Sequence, residues 1–262
     1  MPVRVVMVGG GRMGTALVRG LVTAGWDPAD ITVVEVSAAR RVALGDELPG
    51  VAVRAEVVEA EGAVLAVKPA AAPEACRAVA RTGAARVLSI MAGVRLARLE
   101  SWLAPSVSVV RAMPNTPAMV GAGVAAIAAG SVAGEPDMVW AESLLGAVGH
   151  VVRVPEVALD AVTGLSGSGP AYVFLVVEAL VDAGVSAGLS PEVSRRLAVD
   201  TLTGAARLLE ATGEEPERLR AQVTSPGGTT EAGLAVLEER GVRAAFTAAV
   251  AAATERSRQL GS

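Results

Sequence analysis

Histidine, cysteine and lysine each occur once in this 262-residue chain, as His150, Cys76 and Lys68, and aromatic residues make up only 2% of it. A single cysteine forbids an intrachain disulfide, and a cytoplasmic setting is the plain expectation. A single histidine forbids a histidine metal cluster, and any histidine-based triad would have to use His150. That residue precedes the strand-like stretch Val151 to Val154 and reads as structural. Paired-cysteine spacings are missing, so no metal site is expected. Basic runs are missing too, and the net charge of −4 argues against nucleic acid and membrane surfaces as partners.

Membrane spans are not expected either. Ala112 to Gly134 carries no charge but is broken by Pro114, Asn115 and Pro117. Ala171 to Val181 is interrupted by Glu178 and falls well short of the ~20 residues that a span requires. The first strand starts at Val3, which leaves no room for a signal peptide. What the chain does have is small apolar residues: 52% of it is hydrophobic, so Ala, Val and Leu must do the packing. The length suits one large domain or two ordinary ones.

The first half alternates strand and helix patterns. Val3 to Val8, Ile31 to Val36, Ala63 to Val67, Val87 to Ile90 and Val107 to Val110 are short apolar strands. Helical stretches such as Met13 to Ala24 separate them, which predicts a parallel sheet covered on both faces. Near Val152 to Asp160 the texture changes, and the rest reads as helical. We expect helices over Pro170 to Ala183, from Ser190-Pro191-Glu192 to about Ala211, and over Pro216 to Val223, Thr230 to Glu239 and Val242 to Gln259. The first of these is apolar nearly all round, so this half is expected to form a subunit interface, with a dimer as the minimum unit. The expected domains are residues 1–154 and 155–262.

Gly9, Gly11 and Gly14 form a G-x-G-x-x-G turn that follows a strand and opens a helix. In that context Gly9 permits the turn, Gly11 admits the pyrophosphate of a dinucleotide and Gly14 packs helix on strand. Glu35, at the end of the second strand, is placed to accept from a ribose hydroxyl and favours NAD. Ser37, Arg40 and Arg41 follow at once and suit a 2′-phosphate, so the cofactor choice stays open. Lys68 lies at the carboxyl end of the sheet, where ligands bind in such folds, and a surface lysine is its plain alternative.

A second small-residue turn, Ser225-Pro226-Gly227-Gly228-Thr229-Thr230, precedes a helix. Free N–H groups, the helix dipole and three hydroxyls would make a carboxylate pocket there, and an ordinary capped turn is the alternative. Leu165 to Pro170 reads as a tight interhelical crossing. Met113-Pro114-Asn115-Thr116-Pro117 reads as a rigid polar loop able to frame a nicotinamide. With few candidate acids and bases, hydride transfer to an electrophilic carbon fits best, because the cofactor carries the hard chemistry.

These stretches resemble pyrroline-5-carboxylate reductase along essentially the whole chain. The resemblance rests on Val8 to Gly14, Ala66-Val67-Lys68-Pro69, Val110 to Pro117, Thr163 to Tyr172 and Ser225 to Thr230. It implies an α/β fold, with an N-terminal Rossmann-type doubly wound parallel sheet followed by an all-α dimerisation domain. It also implies reduction of 1-pyrroline-5-carboxylate to L-proline with NADPH, or alternatively NADH, by a homodimer. Rings of five such dimers, a homodecamer, are frequent among relatives. By resemblance Val8, Gly9, Gly11, Arg12, Met13, Glu35, Ser37, Arg40, Ala66, Val67, Lys68, Pro69, Met91, Ala92, Asn115 and Gln222 would meet the cofactor. Ser225, Gly228, Thr229 and Thr230 would hold the substrate carboxylate, and Thr230 would direct its hydroxyl to the ring nitrogen. Met91 stands where relatives more often carry cysteine or alanine.

Two rivals are set against this. A β-hydroxyacid dehydrogenase needs a lysine in its second domain, and no lysine follows Lys68. A non-catalytic NAD(P)-binding regulatory protein would bind cofactor without turnover.

Overall fold

The computed structural model describes residues 3–261, and their contacts divide them into two compact units. The first runs to Ser168 and takes in the chain again from Ala251; the second is Gly169 to Val250.

The first unit is built on one eight-stranded sheet in the order β3-β2-β1-β4-β5-β6-β7-β8. Its strands are β1 (Val3–Val8), β2 (Ile31–Val34), β3 (Ala52–Arg54), β4 (Ala60–Leu65), β5 (Arg86–Ser89), β6 (Ser108–Pro114), β7 (Gly123–Ala129) and β8 (Gly149–Arg153). Strands β1 to β6 are parallel, as expected. The far edge is not. Strand β7 pairs antiparallel with β6, and β8 runs parallel to β7. Met113 and Pro114 therefore sit in a strand, and only Asn115 onward forms the expected rigid turn, with a 3-10 segment over Thr116–Val120.

Helices α1 (Arg12–Thr23), α2 (Ala38–Glu47), α3 (Ala72–Ala80), α4 (Leu96–Ser101), α5 (Glu135–Leu145) and α6 (Leu159–Val162) belong to this unit, as does the end of the last helix from Ala251. Successive strand residues point to opposite faces, so each β-branched run feeds two cores. Val5 and Met7 join Leu17, Leu21, Leu44 and Leu144 on one face. Val6 and Val8 join Cys76, Val79, Leu99 and Leu159 on the other.

The second unit is helical: α7 (Gly169–Ser186), α8 (Pro191–Thr212), α9 (Pro216–Gln222), α10 (Thr229–Glu239) and the first part of α11 (Val242–Leu260). Ser190 caps α8 by accepting from Val193 N at 3.3 Å. Helix α7 buries none of its residues fully, and Phe174 and Leu175 are 62% and 64% exposed. A π-helical turn over Thr163–Gly167 connects α6 towards α7. Helical structure thus runs from Glu156 to Ser186, 31 residues that by length and composition alone would suffice to cross a membrane. The sequence-based measure of that stretch as far too short is corrected by this: flanking turns that look like loops in sequence are helical.

Candidate active site

In the glycine turn, Gly9 and Gly14 each meet a steric demand. Gly9 has φ +112°, and a Cβ there would lie 2.6 Å from the Ala66 carbonyl oxygen. A Cβ on Gly14 would lie 2.2 Å from Gly9 O. Gly11 is different: a Cβ would meet nothing within 4 Å, so this side of the turn is open. Gly11 is also the N-cap of α1, and no side chain caps that helix. The first-turn N–H groups of Arg12 and Met13 are therefore left without side-chain acceptors, which is what an approaching pyrophosphate needs. Met13 itself is partly buried against the core, and Arg12 donates to Met119 Sδ at 3.6 Å.

Beyond β2 the expected residues are held by contacts within the chain. Glu35 accepts from Gly10 N at 3.2 Å and Ser37 N at 2.9 Å, so its carboxylate is tied to the turn. Ser37 caps α2 by accepting from Arg40 N at 3.3 Å. Arg40 faces inward, donating to Gly10 O at 2.9 Å and Thr15 Oγ1 at 3.1 Å and pairing with Glu47. That hydrogen bond holds the Glu47 carboxyl below its usual range and raises the Arg40 guanidinium. Arg41 is spent on the carbonyls of Glu35 and Val36, at 2.9 and 2.8 Å. Arg40 thus ties α2 to the turn, and Arg41 closes the connection from β2 into α2.

Ala66 N donates to Val8 O at 2.8 Å, which places Ala66 to Pro69 beside the glycine turn. Lys68 is exposed in extended backbone at the start of the 3-10 segment Pro69–Ala71. A cavity of about 590 Å³ opens at the carboxyl ends of β1, β2 and β4, against α3. Val8, Val34, Val36, Val67, Ala75 and Thr82 are among its lining residues. Its walls mix these residues with Glu56, Glu74 and Arg81, and its volume suits an adenosine. Apart from Val8 and Val67, sequence reasoning missed its lining; the available signal was their position at strand ends.

After β5, Met91 is buried and Ala92 exposed, with Met91 N donating to Ser89 Oγ at 3.4 Å. Asn115 is nearly buried and works as a strut: its Nδ2 donates to Ser166 O at 3.2 Å and its Oδ1 accepts from Val124 N at 2.9 Å.

The remaining expected residues lie in the second unit. Gln222 ends α9 and donates to Glu214 Oε2 at 2.8 Å. In the 225–230 turn Gly227 has φ +71°, and its N–H donates to Glu231 Oε2 at 2.7 Å, a contact the sequence does not suggest. Gly228 is the N-cap of α10, again with no side-chain cap, and its N–H donates to Ser225 O at 3.0 Å. The hydroxyls of Ser225, Thr229 and Thr230 are exposed and have no partner within the described chain. An uncapped helix start ringed by free hydroxyls is suited to a carboxylate.

Comparison with known proteins bears on both units. Residues 156–260 match the family model for pyrroline-5-carboxylate reductase dimerisation, and residues 4–93 match one described as NADP oxidoreductase, coenzyme F420-dependent. The chain is 45% identical to pyrroline-5-carboxylate reductase from Synechocystis, covering 100% of this chain and 99% of that relative. It is 41% identical to the Arabidopsis thaliana reductase, covering 98% and 95%. The structure of the Coxiella burnetii reductase superposes with a TM-score of 0.94 at 36% identity, covering all of both chains. That of the Plasmodium falciparum reductase with NADP bound gives 0.85 at 28% identity, covering 99% and 98%.

Proposed function

The chain belongs to the pyrroline-5-carboxylate reductase family, and from that premise we infer that it is the NAD(P)H-dependent enzyme reducing 1-pyrroline-5-carboxylate to L-proline, the last step of proline biosynthesis. Within the structure, the observation that carries this reading is the uncapped start of α10 with three unpartnered hydroxyls, a carboxylate site on a chain that also bears a dinucleotide turn. Nothing favours a non-catalytic regulatory protein.

We assign the cofactor's pyrophosphate to Gly9, Gly11, Arg12 and Met13, and its adenosine to the slot bounded by Val8 and Val67. Ala66, Lys68, Pro69, Met91 and Ala92 would line its further course. Glu35, Ser37 and Arg40 would stand at the ribose edge, and Asn115 would be a cofactor neighbour that also braces Ser166 and Val124. Gln222 is kept as a cofactor neighbour from the family resemblance. NADPH is our proposed reductant, with NADH as substitute: the NADP family match and the NADP-bound P. falciparum relative support it. The anchored Glu35 carboxylate opposes a 2′-phosphate and should keep the preference small.

When bound, the cofactor supplies the hydride. The chain's own residues have a lighter task. Ser225, Gly228, Thr229 and Thr230 bind the substrate carboxylate and fix the ring's orientation. Thr230 holds a proton at the ring nitrogen, drawn from water, because a protonated imine is the better hydride acceptor. Positioning then provides much of the rate.

We further propose a homodimer, with five-dimer rings as an open extension, in the cytoplasm. Residues 1–154 would serve the cofactor and 155–262 dimerisation and substrate, a division supported by the family match over 156–260, although residues 155–168 and 251–261 pack with the first unit. The exposed apolar faces of α7 and α8 support it as well, since burying each such side chain is worth about 1.5–3 kcal/mol. The site is tested by Ser225→Ala and Thr229→Ala. Each should raise the KM for pyrroline-5-carboxylate and leave the KM for NADPH unchanged; equal effects on both would move the carboxylate elsewhere.

A further inference from the structure

We propose that Glu156 and the last turn of the chain, Ser257 to Gly261, are positioning elements for the cofactor loop Met91 to Gly93, so that the far end of the sequence sets affinity for the nicotinamide cofactor. This rests on the reading that Met91 and Ala92 meet that cofactor. The loop leaves β5 and is caught at two points from behind. Gly93 has φ +74°, open only to glycine without strain, and a Cβ on it would lie 3.2 Å from the Leu260 carbonyl oxygen. Reciprocally, a Cβ on the buried Gly261 would lie 3.0 Å from Gly93 O. Two backbones thus touch with no side chain between them, an approach that two glycines permit.

The second point is α4, which begins directly after the loop. Leu96 N, a first-turn donor with no partner inside its own helix, donates to Glu156 Oε1 at 2.7 Å. The same oxygen accepts from Arg111 Nη1 at 2.9 Å. Arg111 is nearly buried in β6, in register with Ser89 of β5, so the carboxylate ties the loop's exit to the strand beside its entry. One turn beyond Glu156, Asp160 Oδ1 accepts from the buried Ser257 Oγ at 2.7 Å, which fixes the last turn of α11 in place. Arg95, Arg111, Glu156, Asp160 and Arg258 surround a cavity of about 210 Å³ behind the loop. None of these residues was assigned to the cofactor. Their contacts are to the loop's frame.

The test compares cofactor and substrate kinetics in the full-length enzyme. Glu156→Ala, and separately a chain ending at Gln259, should each raise the KM for NADPH by about tenfold, with the KM for pyrroline-5-carboxylate and the melting temperature little changed. Glu156→Gln keeps an oxygen for Leu96 N and should recover most of the affinity, which a general loss of stability would not show. Ala92→Asp, placed in the loop itself, is the control. If it weakens NADPH and the other variants do not, the proposal is overturned while the loop's contact with cofactor stands. If Ala92→Asp is also silent, the loop does not meet the cofactor, and both fall. A parallel loss of both KM values and of melting temperature would make Glu156 and the last turn a structural staple only, and would equally overturn it.

Discussion

The cofactor end and the substrate end are both glycine-rich turns at helix starts, yet they are finished to different degrees. Around Gly9 to Gly14 the flanking side chains are tied within the same unit, with Glu35 on Gly10 and Ser37, Arg40 on Gly10, Thr15 and Glu47, and Arg41 on two carbonyls, while the start of α1 stays uncapped. Around Ser225 to Thr230 three hydroxyls stand free, and the helix that follows, α10, leaves Val236 and Leu237 each about half exposed. On our proposal, the preorganised turn binds an invariant, the pyrophosphate. An unfinished one awaits a substrate and, we propose, a second chain. On that reading the first end would cost little reorganisation on binding, and the second would be completed by association.

The comparison breaks hardest at Gly14. Gly14→Val forces atoms into the Gly9 carbonyl, 2.2 Å from even a first Cβ, and should weaken NADPH binding by about a hundredfold in a fluorescence titration. An intact affinity would mean that the turn is not the pyrophosphate site. At the other end, Thr230→Ala should lower turnover by more than about tenfold with cofactor affinity kept. An unchanged rate would remove Thr230 from the mechanism.

Smaller effects sharpen the contrast. Glu35→Ala removes the carboxylate from the ribose edge and should shift relative kcat/KM towards NADPH and away from NADH by about tenfold. A shift the other way would show that Glu35 does not face the ribose. Least of all should Cys76 matter. Burial pushes its thiol up to about 11, so below that pH it stays protonated and unreactive. Iodoacetamide at pH 8 should label it only after denaturation; rapid labelling of the native protein would contradict its place in the core.

Legibility in the sequence follows the range of the forces involved. Strands β1, β2, β4 and β5 are readable because valine-rich runs declare themselves locally. Strand β7, the alanine-rich Gly123–Ala129, reads only as an uncharged stretch, since its strand character comes from pairing with β6 and β8. The glycine turn is readable for the same local reason as β1. The inward commitment of Arg40 is not, because it depends on Gly10 and Thr15, 30 and 25 residues away. Asn115 reads as a cofactor neighbour in the sequence, but its bond to Ser166, 51 residues on, cannot be read there. The adenosine-sized slot is invisible because no single element makes it.

The most direct measurement is imine-dependent loss of reduced-nicotinamide absorbance, run separately with NADPH and NADH on protein whose cofactor binding has been measured in the same preparation. The account predicts oxidation only when pyrroline-5-carboxylate is present, L-proline as the product, and rates with the two cofactors within about tenfold of each other. Cofactor bound but not oxidised, with either nucleotide, would contradict it.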